Sequence, residues 1–115
     1  MDVSVYFNPS CSNCRTAEGI LAERGIDATY VRYLETAPTR EQLEDVLAKL
    51  GTDDPQTMIR TKEPEYEDLG LAHASRDELL DAMVAHPILI QRPIVIHGDR
   101  AVIARPADRL LELFS

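Results

Sequence analysis

The chain holds two cysteines, Cys11 and Cys14, in the spacing C-x-x-C. They follow a short alternating run, Val3 to Phe7, that Asn8-Pro9 brings to a stop, and they open a stretch in which Cys14, Ala17, Ile20 and Leu21 recur at helical intervals. A thiol at the mouth of a helix meets unpaired amides and the positive end of the helix dipole. Such placement stabilises a thiolate and lowers a thiol pKa from ~8.5 to somewhere in ~3.5–7.5. Cys11 is therefore the expected nucleophile. Cys14, one turn deeper on an apolar face, suits attack on a disulfide or adduct at Cys11, with a small buried core residue as the alternative reading. Zinc fits poorly: a structural site needs four ligands, and His73, His86 and His97 show no paired spacing with the cysteines or with one another. No metal is expected.

Arginine is the second signal, supplying ten of the twelve basic residues. Its guanidinium grips oxyanions through two parallel hydrogen bonds. Arg92 to Pro106 is nearly mirror-symmetric about Gly98-Asp99, which predicts a hairpin pairing His97 with Arg100, Ile96 with Ala101, Ile94 with Ile103 and, at the open end, Arg92 with Arg105. Directly opposed like charges destabilise a hairpin unless an anion lies between them. Arg105 also precedes a closing helix, where an anion is favoured over a cation. Pairing with a local carboxylate such as Asp108 is the competing account of these arginines. There is no G-x-x-x-x-G-K, no G-x-G-x-x-G and no cysteine followed by five residues and arginine, so scattered arginines must hold any oxyanion.

The elements that must position these groups can be read from periodicity. Asp2 to Phe7 is a strand, Ser12 to Gly25 a helix with its glycine stop, and Ala28 to Leu34 a second strand, parallel to the first because a helix returns the chain between them. Thr39 with Gln42 and Ser75 with Glu78 each cap a helix, the first ending at Gly51. Pro55 to Leu71, between them, is acidic and only partly helical. After the hairpin, Pro106 suits the first position of a closing helix with Leu110, Leu113 and Phe114 on its apolar side. The predicted fold is α/β, in the order β-α-β, helical insertion, β-β-α, with a mixed sheet. A C-x-x-C motif beside such a βαβ unit is the setting of thioredoxin-like redox chemistry.

At 115 residues with 44% apolar content, the chain matches one domain, 1–115, with a helical insertion at about 39–86 and no internal linker. A core of this size needs no disulfide staples, which leaves both cysteines available for chemistry. The net charge of −8 opposes binding to nucleic acid or anionic membrane. No apolar run reaches the ~18 residues of a membrane helix, and the first residues lack a signal-peptide pattern, so a reducing cytoplasm is the expected setting.

The chain resembles the glutaredoxin-type arsenate reductases, the ArsC family, over nearly its whole length. The resemblance rests on Tyr6-Phe7-Asn8-Pro9-Ser10-Cys11, Tyr33-Leu34-Glu35, Ile59-Arg60 and Leu69-Gly70-Leu71. It continues through His86-Pro87-Ile88-Leu89-Ile90-Gln91-Arg92-Pro93-Ile94-Val95 and Arg105-Pro106. It implies a thioredoxin-like fold, Cys11 as nucleophile, Arg60, Arg92 and Arg105 as the oxyanion-binding arginines, and Asn8 and Pro93 as structural residues near the site, Pro93 behind a cis peptide. Nothing in the spacing of residues selects Arg60. The implied reaction is attack of Cys11 on arsenate, followed by reduction of the adduct by a second thiol. No bound cofactor is implied; the co-substrate is glutathione with glutaredoxin, or thioredoxin or another low-molecular-weight thiol. A monomer is expected.

Two residues depart from the family pattern: Phe7 stands where many members carry His, and Cys14 where arsenate-reducing members often carry Ser. Cys14 makes a Cys11 to Cys14 disulfide possible and moves the expected donor toward thioredoxin. Two rival readings are a thiol-disulfide oxidoreductase and an Spx-type regulator of the same fold that binds RNA polymerase. Arg105, Tyr33-Leu34-Glu35 and Leu69-Gly70-Leu71 look more like the enzyme.

Overall fold

Alternation along the first strand divides the molecule into two cores. In the computed structural model, which describes residues 3–114, strand β1 (Val3–Tyr6) lies inside a four-stranded sheet with β2 (Thr29–Val31), β3 (Ile94–His97) and β4 (Arg100–Ile103). The strand order is β2-β1-β3-β4. β1 runs parallel to β2 and antiparallel to β3, and β3 pairs antiparallel with β4, so the sheet is mixed. The expected start of the first strand at Asp2 lies outside the described residues.

Val3, Val5 and Phe7 point to one face, where they join Cys11, Cys14, Ala17 and Leu21 of helix α1 (Ser12–Glu23). Leu110 and Leu113 complete that core from a 3-10 helix, Ala107–Leu113. Tyr6 points to the opposite face. There it meets Tyr33, Leu43 and Leu47 of α2 (Arg40–Leu50), Met58 and Ile59, and Leu79, Leu80 and Met83 of the helix at Arg76–Ala85. The period of two in the strand thus decides which helices cover which face.

The segment between β2 and β3 is helical, as expected. Thr39 closes a capping box on α2 with Gln42, and Ser75 does the same with Glu78 for the later helix. Gly51 ends α2 at φ 80°, a left-handed conformation that glycine adopts without steric cost. A short α3 (Pro64–Asp68) sits between 3-10 turns at Pro55–Met58 and Leu71–His73, which makes Arg76–Ala85 helix α4. The acidic stretch is accordingly partly helical.

The hairpin register matches the expected pairs: Ile94 with Ile103, Ile96 with Ala101 and His97 with Arg100. Two details differ. β2, at Thr29–Val31, is shorter than the run Ala28 to Leu34 that announced it, and β1 ends at Tyr6 rather than Phe7, although Phe7 N–H still donates to the Val31 carbonyl at 2.9 Å. The closing helix is 3-10 rather than α, and Pro106 is its N-cap with extended backbone (ψ 161°) rather than its first helical residue. The peptide bonds before Pro93 and before Pro106 are both cis; the first was implied by the resemblance and the second was not.

Candidate active site

Cys11 is the N-cap of α1, with extended backbone (φ −91°, ψ 123°). Its N–H donates to the Asn8 carbonyl at 3.0 Å, and its own carbonyl accepts from Arg15 N–H at 3.1 Å. The Asn8 side chain holds the preceding turn by accepting from Ser10 N–H at 2.9 Å. The thiol therefore occupies the place of a capping oxygen. It closes no formal cap hydrogen bond, yet the Cys14 N–H lies near enough to favour the thiolate.

Cys11 is 8% exposed, and burial by itself raises its pKa. That effect is outweighed by the Cys14 N–H, the Cys14 thiol and the Arg92 guanidinium, and the net shift is downward from the ordinary value of 9.0. Cys14 behaves in the opposite way. It is fully buried, accepts from Asn8 N–H at 3.5 Å, and is pushed up to about 12 by burial, with the neighbouring Cys11 adding to the rise against the opposing Asn8 amide. Two thiols a helical turn apart are thus biased in opposite directions, Cys11 toward the thiolate and Cys14 toward the thiol.

Phe7, which stands where many family members carry His, is buried in the same core as both cysteines and meets Tyr30 edge-on at 5.2 Å. Apolar packing fills that place.

The arginines arrive from distant parts of the chain. Arg92 ends the segment before β3, and the ladder continues past the hairpin with Ala104 N–H donating to the Pro93 carbonyl at 2.9 Å. Arg92 and Arg105 are therefore neighbours, as the register predicted. They meet through an unanticipated bond: Arg105 Nη1 donates to the backbone carbonyl of Arg92 at 2.9 Å. The Arg92 side chain turns to Cys11 and Tyr33, which both raise its pKa against the lowering effect of burial. Among the described residues, neither Arg92 nor Arg105 forms an ion pair, so Asp108 does not neutralise them.

Arg60 reaches the same end of the sheet through an antiparallel bridge between Ile59 and Ile90. Its N–H donates to the Leu89 carbonyl at 2.7 Å, and Gln91 N–H donates to the Met58 carbonyl at 2.8 Å. Its Nε pairs with Glu63 at 3.0 Å. Arg60, Lys62, Gln91 and Arg105 line an open cleft of about 210 Å³. Cys11 and Arg92 do not line it; Arg105, which does, is bonded to the Arg92 backbone. A larger groove of about 620 Å³ between α2 and the sheet carries Glu41 and Asp45 and no thiol, which suits neither an oxyanion nor this chemistry.

As read from the sequence, Tyr33, Lys62 and Gln91 have no role in the site, although Tyr33 and Gln91 stand in the runs that carry the family resemblance. Tyr33 is fully buried and is pushed up to about 12 by burial, against the opposing pull of Arg92 and with the two cysteines adding to the rise. Its place just after an apolar strand was the available signal. Among the described residues, no group of His, Cys, Asp and Glu is arranged to hold a metal ion, and no helix is long and apolar enough to cross a membrane.

A βαβ unit extended by an antiparallel hairpin, with an activated thiol capping its first helix, defines a thioredoxin-like thiol protein. The arginine-bearing insertion narrows that class. The family model described as the ArsC family matches residues 6–113, and the chain belongs to that family. It is 39% identical over 111 residues to the arsenate reductase of Neisseria meningitidis serogroup B, covering 95% of each chain. To the arsenate reductase of Haemophilus influenzae it is 40% identical over 115 residues, covering 98% of this chain and 99% of the relative. The structure of an arsenate reductase from Vibrio cholerae superposes with a TM-score of 0.95 at 39% identity, covering 98% of both chains.

Proposed function

We propose that this protein is an oxidoreductase that reduces arsenate to arsenite with thiols. The observation that carries the reading is Cys11, a thiol of lowered pKa at the N-cap of α1 with the Arg92 guanidinium beside it. Relatives named arsenate reductases, at about 40% identity over nearly full length, support the choice of oxyanion.

The Cys11 thiolate attacks arsenic, the S–As bond forms, and one arsenate oxygen leaves as water after protonation. Arg92, Arg105 and Arg60 neutralise the oxyanion as charge builds on it. A second thiol then attacks the adduct. Two electrons pass to arsenic, As(V) becomes As(III), and the two sulfurs leave as a disulfide while arsenite departs. One arsenate and two thiols thus yield one arsenite, one disulfide and one water. No prosthetic group is needed.

Glutathione, with glutaredoxin clearing the mixed disulfide, is one source of the second thiol. Cys14, one helical turn from Cys11, favours a second route in which the disulfide forms within the chain and thioredoxin reduces it. On this reading the protein works as a one-domain monomer in the cytoplasm, with residues 39–86 as a helical insertion.

The test supplies arsenate with glutathione and glutaredoxin, or with thioredoxin and its reductase, and measures arsenite. Arsenite production that Cys11→Ser abolishes is the expected result. Absence of arsenite with every donor, despite a reactive Cys11, overturns the assignment. Cys14→Ser separates the routes by losing only the thioredoxin-driven activity.

A further inference from the structure

Among the described residues, four buried side-chain polar atoms have no hydrogen-bond partner, Tyr33 Oη, Gln91 Oε1, Arg92 Nε and Arg92 Nη1, and three of them belong to Tyr33 and Arg92, two residues that act on each other electrostatically. Burying such groups without partners is costly, so their convergence calls for an explanation. Tyr33 is 0% exposed, and its ring is held firmly. It stacks on Tyr6 with centroids 6.0 Å apart and planes at 19°, and its N–H donates to the Val31 carbonyl at 3.0 Å. Leu43, Leu47, Met58 and Ile90 fill the same core. An aromatic ring that only filled this core would gain nothing from a hydroxyl.

The surroundings of that hydroxyl are the active-site groups. Arg92 holds the phenol's pKa down against the larger opposing effect of burial, and Tyr33 in turn raises that of Arg92. Arg92 also faces Cys11, and both cysteines lie close enough to act on Tyr33. Tyr33 belongs to the core on the α2 face, whereas Cys11 and Cys14 belong to the core on the α1 face. Arg92 bridges the two beyond the end of β1.

We propose that Tyr33 is a positioning residue whose hydroxyl oxygen accepts a hydrogen bond from the buried edge of the Arg92 guanidinium and so holds that cation against the Cys11 thiolate. The proposal rests on the reading of Cys11 as the reactive thiol. A guanidinium offers donors on several edges, and an acceptor at its buried edge leaves another edge directed at Cys11 and at an incoming oxyanion. The remaining guanidinium motion is thereby restricted without placing a carboxylate beside the thiolate, which would oppose its ionisation. A neutral phenol supplies the acceptor and adds no charge.

Tyr33→Phe removes the acceptor and keeps the ring. The pH at which Cys11 is half-reactive toward iodoacetamide is expected to rise by about half a unit to one unit, a fraction of the ~1–3 units that an adjacent opposite charge imposes. Arg92→Gln alone is expected to raise it further, and Tyr33→Phe is expected to add nothing in that background. A midpoint that is unchanged or lowered, or shifts that add in the double variant, overturns the proposal, as does a fall in thermal stability with unaltered Cys11 reactivity. Where Tyr33→Phe does not fold, 3-fluorotyrosine incorporated into the native chain serves instead. The fluorine signal of residue 33 is expected to move in Arg92→Gln, and a stationary signal overturns the proposal. Alkylation needs no arsenate, so a shifted midpoint in a protein that forms no arsenite supports Tyr33 while removing the proposed substrate.

Discussion

The two thiols should differ in reactivity by more than an order of magnitude, and a pulse of iodoacetamide on the native protein measures the difference. At pH 8, a thiol pushed up to about 12 is ionised to about one part in 10⁴, whereas one lowered below 9.0 is ionised to roughly a tenth or more. The ratio of thiolate populations is then at least about 10³. A more basic thiolate is intrinsically more nucleophilic, and a Brønsted slope of ~0.4–0.5 over three units returns a factor of roughly 16 to 32. Ionisation alone therefore leaves Cys11 favoured by roughly 30- to 60-fold. The complete burial of Cys14 widens the gap, since an alkylating agent must reach the sulfur.

Intact-mass analysis after the pulse should show a single adduct, mapped to Cys11, with Cys14 labelled only after denaturation. Comparable labelling of both residues in the native state would refute the argument that burial and the neighbouring thiolate keep Cys14 protonated. The same arithmetic bears on catalysis. Once Cys11 is consumed as an adduct, its thiolate no longer opposes ionisation of Cys14, but burial still does. Resolution by Cys14 should accordingly accelerate close to tenfold per pH unit through the neutral range, and a pH-independent rate of internal disulfide formation would contradict it.

Other consequences are open to simpler measurements. Arg60→Ala should raise the arsenate KM by at least about tenfold, as loss of a charged hydrogen bond of ~1.5–3 kcal/mol demands. Glu63→Gln, which removes the charge paired with Arg60 Nε at 3.0 Å, should lower it by up to about fivefold, the range set by ~0.2–1 kcal/mol for a partly exposed pair; steady-state kinetics decides both, and a KM that falls in Arg60→Ala or rises in Glu63→Gln would remove Arg60 from the oxyanion site. Thr39→Ala breaks a capping box, in which Gln42 N–H donates to Thr39 Oγ1 at 3.2 Å and Thr39 N–H to Gln42 Oε1 at 2.8 Å, and should cost about 1 kcal/mol in urea unfolding. Gly51→Ala meets no atom within 4 Å but forces a side chain to φ 80°, so a loss of about 1 kcal/mol with an unchanged m-value is expected.

Local chemistry is what made much of this molecule legible. A period of two placed Val3, Val5 and Phe7 opposite Tyr6, capping boxes at Thr39 and Ser75 located two helices, and the symmetry about Gly98 set the hairpin register. Each signal lies within about one turn or one strand of the residues it organises, so no distant contact is needed to read it. Cys11 was legible for the same reason, since a helix mouth is defined by its own few residues. The closing helix differs from expectation in being 3-10, since apolar spacing at Leu110, Leu113 and Phe114 and a proline at the start fit either helix type.

The pattern of residues by itself determined a βαβ unit with a thiol at its helix mouth, a capped helical insertion, and two arginines brought side by side by a hairpin. Tertiary structure decided which way those groups face. The Ile59 to Ile90 bridge delivers Arg60, burial sets Cys14 and Cys11 apart, and Tyr33 Oη is buried without a partner, as are two nitrogens of Arg92. Each of these outcomes depends on pairs tens of residues apart in the chain and on how completely water is excluded between them. Neither quantity is written in local periodicity; both arise only when the two faces of the sheet are covered.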